Sequence, residues 1–140
     1  MTDKAVTEQE SAGTRVLVAE DEFLVVLGLE EDLRAHGFVL VGPFATLAEV
    51  RVAVACERFD MALLDINLGG EMIFPVVDDL KARGTPIIFL SGYNSGAVPE
   101  RYRDSLRLDK PYDPARLIAA LNDVAGKRAQ VASSKELGVP

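Results

Sequence analysis

Five short apolar runs recur along the chain, and each is followed by a stretch of different period. The runs are residues 15 to 19 (RVLVA), 38 to 41 (FVLV), 61 to 66 (MALLDI), 87 to 90 (IIFL) and the weaker 106 to 108 (LRL). Their length and β-branched content predict buried strands. Between them, apolar residues recur at helical spacing. Residues 23 to 36 place Val25, Val26, Leu29 and Leu33 on one face, and Gly37 supplies a C-terminal stop. Gly42-Pro43 closes the second run. Thr46 and Glu49 form a capping box for a helix carrying Leu47, Val50 and Val54. Asn67, Gly69 and Gly70 make a turn, and a helix over about 71 to 83 must hold Pro75 in its first turn or break there. Gly84-Thr85-Pro86 is a further turn. Gly92, Gly96 and Pro99 break the segment from Ser91 to Asp104 into a loop with one short helix. The last helix is capped by Asp113, takes Pro114 at its first position, buries Leu117, Leu121 and Val124, and ends at Gly126.

Strands alternating with helices predict an α/β fold, a doubly wound parallel sheet of five strands with helices on both faces. Residues 1 to 13 read as a tail, 14 to 126 as one domain and 127 to 140 as a second tail or a frayed short helix. Right-handed crossovers bring the C-terminal ends of all strands to one edge, where ligands bind in open sheets of this kind.

Composition narrows the class. A hydrophobic share of 49% with 26% charged residues excludes disorder of the whole chain. The net charge of −7, without a Lys/Arg run, argues against nucleic acid or anionic membrane as the main partner, although Arg101, Arg103 and Arg107 could form a small basic patch. No apolar run approaches the length needed to span a bilayer, and the first residues lack the apolar core of a signal peptide. The lone Cys56 cannot form an internal disulfide, and its apolar neighbours suggest a small buried or half-buried hydrophobe. A cytoplasmic setting is inferred.

Chemistry gathers at the predicted edge. Glu20 and Asp21 follow strand one, Asp65 ends strand three, Ser91 ends strand four and Lys110 follows strand five. Converging carboxylates repel by about 4 kcal/mol per pair at 4 Å and an effective dielectric of 20, so they need protons or a cation. Oxygen donors alone suit Mg²⁺. Glu20 and Asp21 by themselves would serve equally as a solvated acidic cap on a helix. Asp65 is the sharper signal, because a carboxylate closing an apolar strand needs a partner or a task. Beside a divalent cation it could attack phosphorus. Lys110 suits neutralisation of Asp65 and of phosphoryl oxygens, although a simple buried ion pair would look the same. Ser91 could donate to such an oxygen or merely shape a turn, and Gly92 leaves backbone room for a phosphate. His36, before Gly37, reads as a helix C-terminal group rather than a phosphorelay residue.

With these residues in view, the chain resembles the receiver domains of two-component response regulators. Glu20-Asp21-Glu22 after RVLVA, Asp65 in LLDINL, Ser91-Gly92 after IIFL and Lys110-Pro111-Tyr112 match in order and spacing over about residues 14 to 126. The resemblance implies a flavodoxin-like sheet of order 2-1-3-4-5, an order for which receivers are themselves a standing example. It implies that Asp65 is the phosphoacceptor, with Ser91 and Lys110 assisting. It implies that Glu20, Asp21, Asp65 and the Asn67 backbone carbonyl hold Mg²⁺ or Mn²⁺, and that Lys110-Pro111 is cis. Many receivers carry an aromatic switch residue three positions before the lysine. Here that position is Arg107, which puts the usual switch in doubt, and Tyr93 could take over part of it. The FLSGY stretch is similar to a variant seen in stand-alone receivers of alphaproteobacterial stress signalling.

The expected function is phosphoryl acceptance from a histidine kinase or phosphotransfer protein, with signalling by contact with a downstream protein and no DNA-binding output. The last helices and strand five form the expected contact surface, and pairing into homodimers through the last helices is a further option that the resemblance brings. Such a chain is not an enzyme beyond its own phosphorylation and dephosphorylation. Two other readings compete: a Mg²⁺-dependent phosphohydrolase with an Asp nucleophile, and a pseudo-receiver that binds a partner without phosphorylation. The hydrolase commonly needs an acid two residues after the nucleophile, and that position is Asn67.

Overall fold

The computed structural model describes residues 13–92 and 98–136. Numbering only the strands of the main sheet, β1 is Arg15–Ala19, β2 Val39–Phe44, β3 Met61–Asp65, β4 Ile87–Ser91 and β5 Leu106–Asp109. The helices are α1 Phe23–Ala35, α2 Leu47–Cys56, α3 Phe74–Ala82 and α4 Pro114–Glu136, with a 3₁₀ turn at Glu100–Tyr102. The strands lie parallel in the order β2-β1-β3-β4-β5, the flavodoxin-like order expected.

Alternation along the strands divides the core in two. Leu17, Ala19, Ala62, Leu64, Ile87 and Phe89 face α2 and α3, packing on Val50, Val54, Val76, Val77 and Leu80. Val16, Val18, Met61, Leu63, Ile88 and Leu90 face α1 and α4, packing on Leu29, Leu33, Leu117 and Leu121. Both faces are covered, which is why the central strands read as unbroken apolar runs rather than as alternating ones.

Several local expectations hold. Thr46 Oγ1 accepts the Glu49 amide at 3.1 Å, while the Glu49 carboxylate reaches back to the Ala45 amide at 2.9 Å, one residue earlier than a regular capping box. Gly37 adopts a φ of +84° just past His36, the residue that caps the C-terminus of α1. His36 Nδ1 lies 3.0 Å from the Asp32 carbonyl at that helix end. Pro75 fits within the first turn of α3.

Other expectations are corrected. β2 does not close at Gly42-Pro43 but runs to Phe44, because Gly42 takes a φ of +120° inside the strand and the register with β1 shifts there. Residues 71 and 72 belong to a two-stranded ribbon, Asn67–Leu68 with Glu71–Met72, so α3 starts at Phe74. Gly69 and Gly70 both have positive φ, the conformation a tight two-residue hairpin requires. The helix expected to stop at Gly126 continues to Glu136. Gly126 does not take the positive φ of a helix-ending glycine, no proline follows closely, and Lys, Arg, Ala and Gln are good helix formers. Cys56 is exposed, since it lies four residues after the outward-facing Val52 and off the stripe of Val50, Ala53 and Val54.

Candidate functional site

Sheet register assembles the site. Ala19 pairs with Leu64, Asp65 with Leu90 and Ser91 with Asp109. Glu20 therefore emerges level with Asp65, and Lys110 emerges just past Ser91. Single backbone bonds extend the ladder past the strand ends: Glu20 N–H donates to the Phe44 carbonyl (3.0 Å), Ile66 N–H to Leu90 (3.1 Å) and Lys110 N–H to Ser91 (2.8 Å). A chain that is far apart in sequence is thus brought to one edge by main-chain pairing alone.

The edge is a cleft of about 620 Å³ lined by Asp21, Asp65, Asn67, Gly92, Lys110 and their neighbours. Ligand oxygens of Glu20, Asp21 and Asp65 all lie within 4.8 Å of one another. Glu20 and Asp65 are buried polar residues, 1% and 3% exposed, whereas Asp21 is open to water. Lys110 Nζ stands 3.1 Å from Asp65 Oδ2, 3.2 Å from Glu20 Oε1 and 2.6 Å from Glu22 Oε1. The other Asp65 oxygen accepts the Asn67 amide at 3.1 Å. Lys110-Pro111 is cis, as is Gly42-Pro43.

Electrostatics follow from this crowding. Burial pushes the Glu20 carboxyl up to about 7; the Glu22 amide opposes this, the Asp65 charge adds to it, and Lys110 opposes it. Burial alone would lower the Lys110 ammonium, but hydrogen bonds to Glu22 and Asp65 and the charges of Glu20 and Asp65 raise it above the ordinary lysine range. One ammonium contacts the carboxylates of Glu20, Glu22 and Asp65, and Asp21 adds a fourth carboxyl group to the cleft, so negative charge is in excess and a cation or proton must offset it.

The family model described as the response regulator receiver domain matches residues 16–122. The chain belongs to this family. As a receiver, it is a module of two-component signalling. It is similar to the solution structure of SdrG from Sphingomonas melonis Fr1, at 38% identity and a TM-score of 0.71, covering 79% of this chain and 95% of that one. It shares its fold with PhyR from Brucella abortus at 23% identity and a TM-score of 0.71, covering 96% of this chain and 58% of that one. It is 27% identical to the transcriptional regulatory protein PdtaR of Mycobacterium tuberculosis over 125 residues, 86% of this chain. It spans 61% of the length of that relative.

Receiver domains bind Mg²⁺ at an acidic pocket, and Glu20, Asp21 and Asp65 form an acidic cluster here. The remaining residues singled out in the sequence fall as follows. Ser91 is half-buried at the end of β4. Gly92 lies against the stem of Lys110: a Cβ there would meet Lys110 Cε at 3.2 Å, so its lack of a side chain makes room for the lysine. Arg107 is exposed on β5 opposite Phe89. Tyr93 lies outside the described residues. Arg101 pairs with Asp78 at 3.3 Å, and Arg103 Nε reaches the Val98 carbonyl at 3.5 Å, so two of the three arginines are engaged locally.

Three relationships escaped the sequence. The Glu22 carboxylate joins Lys110. The Tyr112 hydroxyl donates to Asp32 Oδ2 on α1 at 3.1 Å. Tyr102 is buried, stacks on Phe74 at 5.0 Å between ring centres and donates to Asp78 Oδ1 at 2.8 Å. Only the Tyr102 contact left a trace, as an aromatic in a segment otherwise rich in breakers and charge.

Proposed function

We propose that this receiver accepts a phosphoryl group on Asp65 from a phosphohistidine of a sensor kinase or phosphotransfer protein. The observation that carries the reading is the position of Asp65: 3% exposed at the end of an apolar strand, 3.1 Å from the Lys110 ammonium, and within 4.8 Å of two further carboxylates. A buried carboxylate among like charges is costly, and phosphorylation chemistry is the task that family membership offers for it.

The donor set fits a hard divalent cation, being three carboxylate oxygens from Glu20, Asp21 and Asp65. These residues, with the Asn67 carbonyl, would hold Mg²⁺, or Mn²⁺ by the same donor chemistry. When bound, the ion supplies positive charge that offsets both the carboxylates and the phosphoryl oxygens. Lys110 steadies the nucleophile through its bond to Asp65 Oδ2. In the transfer, an Asp65 oxygen forms a bond to phosphorus as the phosphorus–nitrogen bond of the donor breaks, and the imidazole leaves with the bonding pair. Lys110 and the Ser91 hydroxyl then stabilise the oxygens of the acyl phosphate. Water attack on phosphorus later restores the carboxylate.

A donor protein must cover the cleft rim to reach Asp65. Phe23, Leu24 and Leu27 on α1 are 71%, 78% and 48% exposed and adjoin Glu22 and Val25 of the cleft lining, an apolar rim suited to a helical donor. Output proceeds through protein contact at β5 and α4, beside Ser91 and Lys110, which beryllofluoride binding should alter in amide exchange. The hydrolase reading loses support, because Asn67 stands where an acid is needed and its amide oxygen accepts the Gly70 N–H at 2.7 Å.

The test is intact-mass spectrometry after incubation with acetyl phosphate and Mg²⁺. One added phosphoryl group, absent in Asp65→Ala, is expected. No added mass in the wild-type chain would refute the reading and leave a pseudo-receiver.

A further inference from the structure

Lys110 has more partners than the phosphoryl reaction can tolerate. An ammonium carries three N–H donors. Here they meet three carboxylates: Glu22 at 2.6 Å, Asp65 at 3.1 Å and Glu20 at 3.2 Å. A phosphoryl oxygen arriving at Asp65 finds no donor open, so one carboxylate must let go.

Burial decides which one. The side chains of Glu20 and Asp65 are 0% and 5% exposed and have no open path into water. The Glu22 side chain is 60% exposed, so water takes over its hydration when it swings out. Its backbone is meanwhile pinned: the Glu22 amide donates to Glu20 Oε2 at 3.0 Å, and its carbonyl accepts the Val26 N–H at 3.0 Å. The residue therefore keeps a fixed base and an exposed arm. Glu22 precedes α1 as its N-cap yet makes no side-chain cap bond, which leaves the carboxylate for Lys110.

We propose that Glu22 is a displaceable latch on Lys110, a positioning residue that occupies the third donor of the ammonium until an incoming phosphoryl oxygen takes it. The inference rests on the Asp65 phosphoacceptor reading and adds a restraint on its rate. The latch slows phosphorylation by a modest factor, because an exposed ion pair is weak, and it holds the lysine side chain in place while the site is unphosphorylated.

The experiment compares wild type, Glu22→Gln and Asp65→Ala, labelled with acetyl phosphate and Mg²⁺ and followed by intact mass over time. Glu22→Gln is expected to label roughly two- to fivefold faster, the size of effect an exposed pair allows. Its affinity for beryllofluoride should rise by a similar factor. The difference should shrink as salt is raised from about 0.05 M to about 0.5 M, since screening weakens the wild-type latch. A purely structural part for Glu22 would shift the unfolding midpoint while labelling rate and beryllofluoride affinity stayed at wild-type values, and that result overturns the inference. If wild type labels on Asp65 and Glu22→Gln is no faster, the latch fails alone. If wild type does not label, the phosphoacceptor reading and the latch fail together.

Discussion

The Tyr112 hydroxyl donates to the Asp32 carboxylate across 3.1 Å, tying the loop after Lys110 to the last turn of α1. Gly28 eases the approach, since a Cβ there would crowd the same hydroxyl oxygen at 3.3 Å. Burial, followed by the Asp32 bond, holds the Tyr112 hydroxyl above its ordinary range, so it remains a donor. Tyr112→Phe should cost about 1 to 2 kcal/mol in urea unfolding. In the wild-type background Gly28→Ala should be near neutral, because the gain in helix propensity of about 1 kcal/mol is offset by crowding. In the Tyr112→Phe background the same change should stabilise. A double-mutant cycle with zero coupling would show that the two positions do not meet.

The second prediction concerns pH. The Glu20 carboxyl titrates near 7 in the folded chain and near 4.5 when unfolded. Between these values the folded state holds a proton that the unfolded state has released. Stability of the metal-free protein is therefore greatest at and below about pH 4.5 as far as this group is concerned, and falls as pH rises towards 7. The loss is of the order of 3 kcal/mol for one fully buried group. Glu20→Gln should flatten this part of the stability profile measured by denaturant unfolding in EDTA. Adding Mg²⁺ to wild type above pH 7 should recover stability, and should do little for Glu20→Gln.

Removing the cation side of the site should be more damaging than removing one anion. Lys110→Met leaves buried Glu20 and Asp65 facing each other without a counter-ion, a loss of about 3 to 5 kcal/mol for the metal-free chain. Asp65→Asn relieves repulsion and should be neutral or stabilising in the same unfolding assay.

Cys56 offers a direct check on helix α2. Because it is exposed, native protein should react with one equivalent of a maleimide or aromatic disulfide reagent at a rate similar to that of the unfolded chain. Slow labelling that requires unfolding would mean that the residue is buried after all.

The sheet was legible in the sequence because its central strands β1, β3 and β4 are covered on both faces and so appear as uninterrupted apolar words. The charged residues that close those words, Glu20 and Asp65, were legible for the same reason, since a polar group after a buried run stands out, whereas Lys110 follows an exposed edge strand and was marked by the proline after it. What the sequence hid depends on tertiary approach. Glu22 belongs to an acidic triplet in which nothing distinguishes a residue that points at a lysine from one that faces water. Tyr112 and Asp32 are 80 residues apart, and the small Gly28 leaves the hydroxyl room to approach. Gly126 carried a misleading signal: glycine ends a helix only when it takes a left-handed conformation, and there it does not.

All the reactive groups issue from one end of the strands, while the turns at Gly13, Glu57 to Asp60 and Gly84 to Pro86 lie at the other. The molecule consequently has a working end and a handling end. Lengthening the turn at Gly84, or attaching a fluorophore or surface anchor there, should leave phosphoryl chemistry untouched. One residue inserted within β3 would instead carry Asp65 out of step with Glu20 and Lys110.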